Sequence, residues 1–244
     1  MLLGITVGCS AVRNLPEGSV LLRKNTVIVD DQAAVDTVAN IVQPKPNNRF
    51  LGIPFGLLLY QSAKDSTDVA FDNWLTKKPG RKKRMNAIWS EKQVKKMKAY
   101  KSGFQAWKRK TGEAPVLSDS ISTAINAQKL KAFFSNEGYF NAVVKTTATT
   151  KKRNAIVNYN VSTNTPYSID SIQANIQSPV LDSIYTANKV NSKLKQGDRF
   201  RTTAFEQERN RLSALFRNAG VYPFQLNSID YSVGVDSTGT DYRL

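Results

Sequence analysis

The sequence predicts an α+β protein built from two copies of one small unit, each running strand–helix–helix–strand–strand. The stretch LKAFFSNEGYF, which starts at Leu130, returns as LSALFRNAGVY at Leu212, a constant offset of 82 residues. A period of that length suits a small domain better than a solenoid repeat. Alternating and helical apolar patterns surround both copies, and the apolar fraction of 41% is enough to build cores.

The predicted division has three parts. Residues 1–18 form a partial lipoprotein signal and tether, residues 19–164 the first unit with an insertion at 44–117, and residues 165–244 an incomplete second unit.

The chain opens with MLLGITVGCS, an apolar run too short to span a bilayer, which needs about 20 apolar residues. Two interpretations stay open. One is an ordinary N-terminus with a buried cysteine. The other is the end of a bacterial lipoprotein signal, because the run is similar to a lipobox, with the small Gly8 before the cysteine. Cys9 is the only cysteine of the chain, and we take it as the candidate lipidation site.

In the first unit, VLLRKNTVIVD (residues 20–30) predicts the opening strand and residues 31–42 a helix. A second helix is predicted at 118–137. Two strands follow at 142–150 and 155–161, joined by the turn KKRN. Residues on one face of the last strand alternate as Ala155, Val157, Tyr159 and Val161.

The second unit shows the same order. An Ile-rich strand starts at Tyr167 and a helix starts at Pro179. Thr202 or Thr203 can cap the next helix, with Glu206 at capping-box distance from Thr203. Gly220 fits the left-handed position that ends this helix.

A strand is then predicted by the strict alternation of Ile229, Tyr231, Val233 and Val235. The turn DSTGT leads to DYRL, which supplies only four residues where the first copy has about eight. We therefore expect the second unit to be truncated in its last strand and Leu244 not to be the natural end, since a missing strand would leave an unpaired edge.

The residue inventory disfavours an enzyme. The chain has no histidine, which removes the commonest general base and metal ligand, and Cys9 has no second cysteine with which to bind zinc. Neither a phosphate-binding G-x-x-x-x-G-K-[ST] loop nor a G-x-S-x-G nucleophile turn occurs. The sequence therefore predicts no catalytic residue, no metal site and no cofactor.

Positive charge is concentrated in one segment. Residues 77–110 hold fourteen Lys and Arg and a single acid, Glu91, which is +13 of the net +16 of the chain. A helix is predicted from about Ser90, with apolar residues at helical spacing on one face: Val94, Met97, Tyr100, Phe104 and Trp107.

Three interpretations of this basic segment stay open. The helix can pack its apolar face on its own domain, or it can lie on an anionic membrane surface. It can also bind nucleic acid, because tryptophans are interleaved with the charges, although a shared apolar face is core geometry rather than a stacking groove. The candidate membrane-facing residues are Lys82, Lys83, Arg84, Lys95, Lys96, Lys108 and Arg109.

The two repeats, with L-x-x-G-x-x-F at Leu194–Phe200 and a helix-ending glycine before an aromatic residue, resemble the POTRA domains of the BamA/TamA family of outer-membrane assembly proteins. The segments NLPEGSVLLRKNTVIVD (Asn14–Asp30) and QPKPNNRFLGIPFGLLLYQ (Gln43–Gln61) are similar to the TamL-like lipoproteins, the Bacteroidetes type of that family. The resemblance extends over essentially all 244 residues.

The resemblance implies a protein on the periplasmic side of the bacterial outer membrane, lipid-anchored, with a C-terminal membrane β-barrel following the second unit. Its implied partners are unfolded or nascent outer-membrane proteins and an inner-membrane partner, with no nucleic acid. Clients would add as a strand to an exposed sheet edge, which in such sheets is commonly the second strand of a unit. The candidate edges are residues 141–148, with Ala142, Val144 and Thr146, and residues 223–236, with Phe224, Leu226 and Ile229. These segments can equally be ordinary edge strands protected by charge or by packing between units.

Two functional classes compete with this assembly module. A nucleic-acid-binding protein would use residues 77–110 and show strongly salt-dependent affinity. An enzyme would need carboxylate-only chemistry, and no paired carboxylates stand in a recognisable pattern; Asp30 and Asp31 fit a strand end and a helix cap.

Overall fold

The computed structural model describes residues 11–12, 14–64, 67–78 and 80–234. Within these ranges the chain combines helices with one four-stranded sheet, which confirms the predicted α+β class. The strands are β1 (Leu21–Val29), β2 (Gln32–Ala33), β3 (Val143–Lys151) and β4 (Asn154–Ser162). The helices are α1 (Asp36–Ala39), α2 (Phe55–Gln61), α3 (Thr67–Thr76), α4 (Arg81–Ile88), α5 (Glu91–Thr111), α6 (Ser120–Asn136), α7 (Pro179–Ala187) and α8 (Thr202–Asn218), with short 3₁₀ turns at Lys189–Asn191 and Leu226–Ser228.

The sheet has the strand order β2-β1-β4-β3. The amide of Leu21 donates to the carbonyl of Arg153 and the amide of Asp30 to the carbonyl of Val161, so β1 and β4 run in the same direction. β2 pairs with the end of β1 in antiparallel register, Ile28 opposite Ala33. The two outer strands of the sheet are therefore β2 and β3.

The helix-facing side of β4 is the part of the core that the sequence predicts best. Ala155, Val157, Tyr159 and Val161 are all almost completely buried, as their alternation predicts. On α6, Leu130 and Phe134 are buried in the same way, and the side-chain Nδ2 of Asn126 donates to the Tyr159 hydroxyl at 3.3 Å. The shared repeat therefore encodes core positions.

The chain divides into two compact units. The first comprises Met1–Thr26, Gln43–Thr123 and Thr147–Val157, and the second Val27–Val42, Ala124–Thr146 and Asn158–Leu244. The first unit has a small apolar core of Ala11, Leu15, Leu21 and Leu57. The second holds an aromatic cluster in which the ring of Phe200 lies 5.0 Å from those of Phe140 and Phe205. The predicted domain boundaries at 18/19 and 164/165 stay a prediction.

Three predicted elements differ from the structure. The helix predicted at 31–42 is reduced to α1, because Asp30 and Asp31 both have positive φ and turn the chain into β2 first. The strand predicted from Tyr167 is a short paired stretch, in which Ile169 exchanges hydrogen bonds with Gly197 and Asp198. The capping box predicted at Thr203 is absent: α8 begins at Thr202 with no side-chain cap.

Candidate functional site

The outer side of β1 is already paired. In the first unit, the amide of Leu22 donates to the carbonyl of Val116 at 2.8 Å, and the amide of Ser118 donates to that of Val20 at 2.8 Å. In the second unit, Ile28 and Val29 pair with β2. Because both ends of β1 have neighbours, this side of the sheet leaves little backbone for another chain.

β3 is the open edge of the sheet. In the part of the chain that the structure describes, the sheet order gives β3 a single neighbour, β4. Lys152 and Arg153 join the two strands in a two-residue turn with φ of 48° and 59°, the conformation of a type I′ hairpin. Both strands have nine residues, so the hairpin runs without a bulge from Lys151 opposite Asn154.

This register decides which backbone groups of β3 point away from β4. In a regular antiparallel pair, hydrogen bonding alternates along the strand. In a two-residue hairpin the residues that flank the turn, here Lys151 and Asn154, bond with each other, so alternate residues counted back from Thr150 direct their amides and carbonyls outward. These residues are Val144, Thr146, Ala148 and Thr150. The predicted edge residues Val144 and Thr146 therefore belong to the set available for strand addition.

The side chains of β3 leave the edge accessible. Ala142, just before the strand, is buried, Val144 is half-buried, and every residue from Lys145 to Lys151 is exposed. Lysine on an edge strand is a common protection against unwanted pairing, and Lys145 and Lys151 fit that role. The edge thus has a polar, threonine-rich surface with free backbone, which suits pairing that tolerates many client sequences.

The turn that leads into β3 is fixed by close backbone contacts. Gly138 has φ of 89°, and its carbonyl accepts a 2.9 Å hydrogen bond from the amide of Tyr167. Arg199 donates to the carboxylate of Glu137 at 3.1 Å and to the hydroxyl of Tyr139 at 2.9 Å. These contacts hold the end of α6, from which the chain enters β3.

The second predicted edge, residues 223–236, is not a strand where the structure describes it. Leu226 lies in a 3₁₀ turn, and residues 229–234 belong to no strand; Val235 and Asp236 lie outside the described residues. Phe224 packs against Phe216, with ring centroids 4.7 Å apart, and Ile229 is half-buried. The alternating pattern is present, but a strand exists only when a neighbour supplies its hydrogen bonds, so the prediction of an edge strand here is wrong for the described residues.

The second unit contains a cleft of about 870 Å³ beside α7 and α8, lined by polar and apolar residues alike. Leu181, Leu212 and Phe216 form part of its apolar wall. The Tyr231 hydroxyl is also buried there, and burial raises the pKa of Tyr231 to about 12. The described part of the chain contains no group of three or more acidic or cysteine side chains that could hold a metal ion.

A buried carboxylate organises the chain beside this cleft. Glu208 on α8 is 2% exposed and accepts two hydrogen bonds from the guanidinium of Arg211, at 2.6 and 2.8 Å. It also accepts from the Ser192 hydroxyl and the Lys193 amide. Burial alone would raise the pKa of Glu208, but the hydrogen bonds from Arg211, Lys193 and Ser192 outweigh it and hold the pKa below its ordinary value. No sequence pattern predicts this network, because Ser192 and Lys193 precede Glu208 by 16 and 15 residues.

The basic segment forms α4 and α5, which pack with α2 and α3 in the first unit. The helix predicted from Ser90 is confirmed: the Ser90 hydroxyl accepts from the Gln93 amide, and the Gln93 side chain accepts from the Ser90 amide. Of the three interpretations of this segment, packing of the apolar face on its own domain does not hold for three of its residues. Tyr100 is 77% exposed, Phe104 46% and Trp107 50%.

A different and more polar face of α5 contacts α3 and the chain before it, with none of its residues fully buried. Lys98 forms a 2.6 Å ion pair with Asp72 of α3, and the ammonium of Lys101 lies 5.2 Å from the ring of Phe71. The side chain of Gln105 accepts from the Lys64 amide at 3.0 Å. These contacts orient the helix so that its aromatic residues face outward.

The predicted membrane-facing residues are placed as follows. Six are exposed: Lys82, Lys83 and Arg84 on α4, and Lys95, Lys96 and Arg109 on α5. Lys108 is half-buried, with its ammonium 4.9 Å from the ring of Phe104. Its ammonium also donates to the carbonyl of Ser62 at 3.5 Å, so Lys108 lies on the side of α5 that contacts the chain after α2.

The candidate lipidation site, Cys9, lies outside the described residues. The segment that follows it is held by Arg153, whose guanidinium donates to the carbonyls of Ser19 and Leu15 at 3.2 and 3.3 Å. In the described part of the chain, no helix has both the length and the apolar character needed to cross a membrane.

Comparison with protein-family models gives no match, and comparison with curated proteins gives none either. Among solved structures, the chain is similar to the crystal structure of POTRA domains 3–5 of Haemophilus influenzae BamA. The two share 9% sequence identity, the alignment covers 95% of this chain and 99% of that one, and the TM-score is 0.29. A TM-score below 0.5 does not establish a shared fold.

Proposed function

We propose that the chain is the periplasmic, POTRA-type part of an outer-membrane protein assembly or translocation factor, without catalytic activity, which binds extended client segments by strand addition at β3. The observation that carries this is the asymmetry of the sheet: the β1 side is covered at both ends and the β3 side is open. Backbone pairing at such an edge recognises an extended conformation rather than a particular sequence, as a factor with many clients requires.

The remaining parts of the proposal come from the sequence. Lipidation of Cys9 would anchor the chain to the outer membrane, since several acyl chains give stable anchoring without a spanning helix. Unfolded or nascent outer-membrane proteins would be the clients, and an inner-membrane partner would bind elsewhere on the chain. Arg153 supports the anchoring arrangement, because it ties the segment after Cys9 to the β3–β4 turn.

Amide hydrogen exchange followed by NMR tests the β3 edge directly. The probe is a synthetic peptide of about ten alternating apolar and polar residues, the pattern of a membrane β-strand. Strand addition protects alternate amides of β3: those of Val144, Thr146, Ala148 and Thr150 become slow to exchange when peptide is added. The intervening amides are slow beforehand, because they already bond with β4. Peptide binding without this alternation would refute strand addition at β3.

Two substitutions at one position provide the matched control. Thr146→Pro removes an outward amide and leaves the ladder to β4 in place, a position at which proline is tolerated in edge strands. It is expected to weaken peptide binding at least tenfold, whereas Thr146→Val, which keeps the amide, is expected to bind as the wild type does. Circular dichroism verifies that both variants fold. Equal binding by folded Thr146→Pro would also refute the proposal.

A further inference from the structure

The outward face of α5 carries an aromatic stripe, defined as Tyr100, Phe104 and Trp107. Spacings of four and three residues place the three side chains on one side of the helix. All three are substantially exposed, and the rings of Phe104 and Trp107 stack on each other with centroids 5.6 Å apart. Helices of soluble proteins normally turn such a stripe toward the core.

α5 cannot rotate about its axis to bury the stripe without losing the contacts made by its other face. Lys98, Lys101, Gln105 and Lys108 recur at helical spacing on that side, and each has a partner in α2, α3 or the chain between them. The helix is therefore held with this partly exposed polar face against its neighbours and with the aromatic residues on the open side. An exposed aromatic patch of this kind marks a site of interaction.

Lysines surround the stripe. Lys96 lies on the same side of α5, and Lys92 and Lys110 flank it at helical positions next to it. α4 adds the exposed Lys82, Lys83 and Arg84, and ends in Ile88 and Trp89, which are also exposed. Aromatic residues bordered by lysines on a helix are the pattern of a segment that lies in a membrane–water interface.

We propose that α4 and α5 dock on an anionic lipid surface, with the aromatic stripe at the level of the headgroups and the surrounding lysines against lipid phosphates. The charge of residues 77–110, +13, matches a surface of anionic lipids, and each Lys or Arg near such a surface adds attraction. Tryptophan and tyrosine favour this depth, because one end of the ring system is apolar and the other can bond with water. This docking would be independent of strand addition at β3.

A single-stranded nucleic acid fits the stripe less well. Proteins that bind it offer free aromatic faces along a groove. Here Phe104 and Trp107 stack on each other, Lys108 covers Phe104, and the guanidinium of Arg81 lies 4.7 Å from the ring of Trp74. These partners occupy ring faces on which bases would stack.

The three tryptophans of the chain, Trp74, Trp89 and Trp107, all lie in this region and provide the readout. In a Trp74→Phe/Trp89→Phe variant of the full chain, Trp107 is the only tryptophan, and excitation at the red edge of its absorption separates its emission from that of the nine tyrosines. Its emission is expected to shift to shorter wavelength on vesicles of phosphatidylglycerol and phosphatidylcholine in equal parts, and not on phosphatidylcholine alone. Flotation with the same vesicles gives the affinity, which should fall steeply between 0.1 and 0.5 M salt as screening shortens the electrostatic range.

Charge and aromatic variants separate the two parts of the interaction. Replacing Lys92, Lys96 and Lys110 by Gln is expected to weaken vesicle binding about 100-fold, at roughly fivefold for each lysine. The charge-matched control, with Lys189, Lys193 and Lys195 of the second unit replaced by Gln, should bind vesicles as the wild type does. Tyr100→Ser/Phe104→Ser should weaken binding at least tenfold and reduce the Trp107 shift.

Any one of three results would refute docking on an anionic lipid surface. The proposal is overturned by equal binding to charged and uncharged vesicles, or by a lysine variant that binds like its control. It is also overturned if a single-stranded oligonucleotide binds while vesicles do not.

Discussion

Gly138 and Gly220 occupy the same place in the two copies of the repeat, and substituting each by alanine separates two physical effects. Both glycines have positive φ, 89° and 95°, which side chains disfavour. They differ in what a new Cβ would meet. At Gly138 it would lie 2.5 Å from the carbonyl oxygen of Phe200, whereas at Gly220 no atom comes within 4 Å. We expect both variants to be less stable than the wild type, and Gly138→Ala to be much less stable.

The expected losses follow from these contacts. An L-residue in the left-handed region costs about 1–2 kcal/mol, which is the whole effect at Gly220. At Gly138 the backbone of Phe200 must also move, and forced repacking of this kind costs about 1–3 kcal/mol. Phe200 is held by ring contacts with Phe140 and Phe205 and by its backbone amide, which donates to the carbonyl of Tyr167 at 2.9 Å. Gly138→Ala should therefore lose about 2–5 kcal/mol and Gly220→Ala about 1–2 kcal/mol.

Urea unfolding followed by circular dichroism at 222 nm measures both losses, since helices throughout the chain contribute to the signal. Tryptophan fluorescence would be a poor choice, because all three tryptophans lie between residues 74 and 107. With a slope of about 2 kcal/mol per M, a difference of 2 kcal/mol moves the midpoint by about 1 M. Equal midpoints for the two variants would refute the reasoning, because they would mean that the Phe200 carbonyl yields freely to the new methyl group.

Two further substitutions test the buried charge and the basic helix. Glu208→Gln should lower the free energy of unfolding at pH 7 by about 3 kcal/mol, because it leaves the partly buried Arg211 without a charged partner. Since the folded pKa of Glu208 is lowered, its contribution to stability is complete above about pH 4.5 and is lost as the pH falls further. Urea unfolding at pH 7 and pH 3 should therefore show a smaller loss of stability in acid for Glu208→Gln than for the exposed Glu206→Gln. Equal losses in the two variants would contradict this. Gly103→Ala should stabilise α5 by about 0.5–1 kcal/mol in the same assay, because its Cβ meets no atom within 4 Å, and a loss of stability there would show that the glycine has a packing role.

Local chemistry made much of the fold predictable. The alternation of Ala155, Val157 and Tyr159 predicts one buried face of β4, since successive side chains of a strand point to opposite faces of the sheet. Ser90 predicts the start of α5, because its hydroxyl can satisfy an amide that the first helical turn leaves free. Gly220 predicts the end of α8, because few other residues adopt its φ. In each case the physical cause lies within a few residues.

Pairing between distant segments was not predictable in this way. Residues 229–234 alternate as a strand should, and the structure gives them no strand neighbour among the described residues. Conversely, nothing in the sequence near Leu22 or Ser118 indicated that the start of β1 would pair with residues 116–118, although this contact leaves β3 as the open edge. Whether an edge is free depends on chain segments that lie about 90 residues apart.

The orientation of α5 was likewise not predictable from the sequence. The periodicity of α5 states that Tyr100, Phe104 and Trp107 share a side, and hydropathy alone assigns that side to the core. The direction in which the helix faces is decided by its partners: Asp72 pairs with the ammonium of Lys98, and the ammonium of Lys101 lies over the ring of Phe71. Lysine stems are apolar enough to cover a neighbouring helix, so a lysine-rich face can be the contacting one even where none of its residues is fully buried. A stripe of aromatic residues can then remain outside, where it needs a partner of its own.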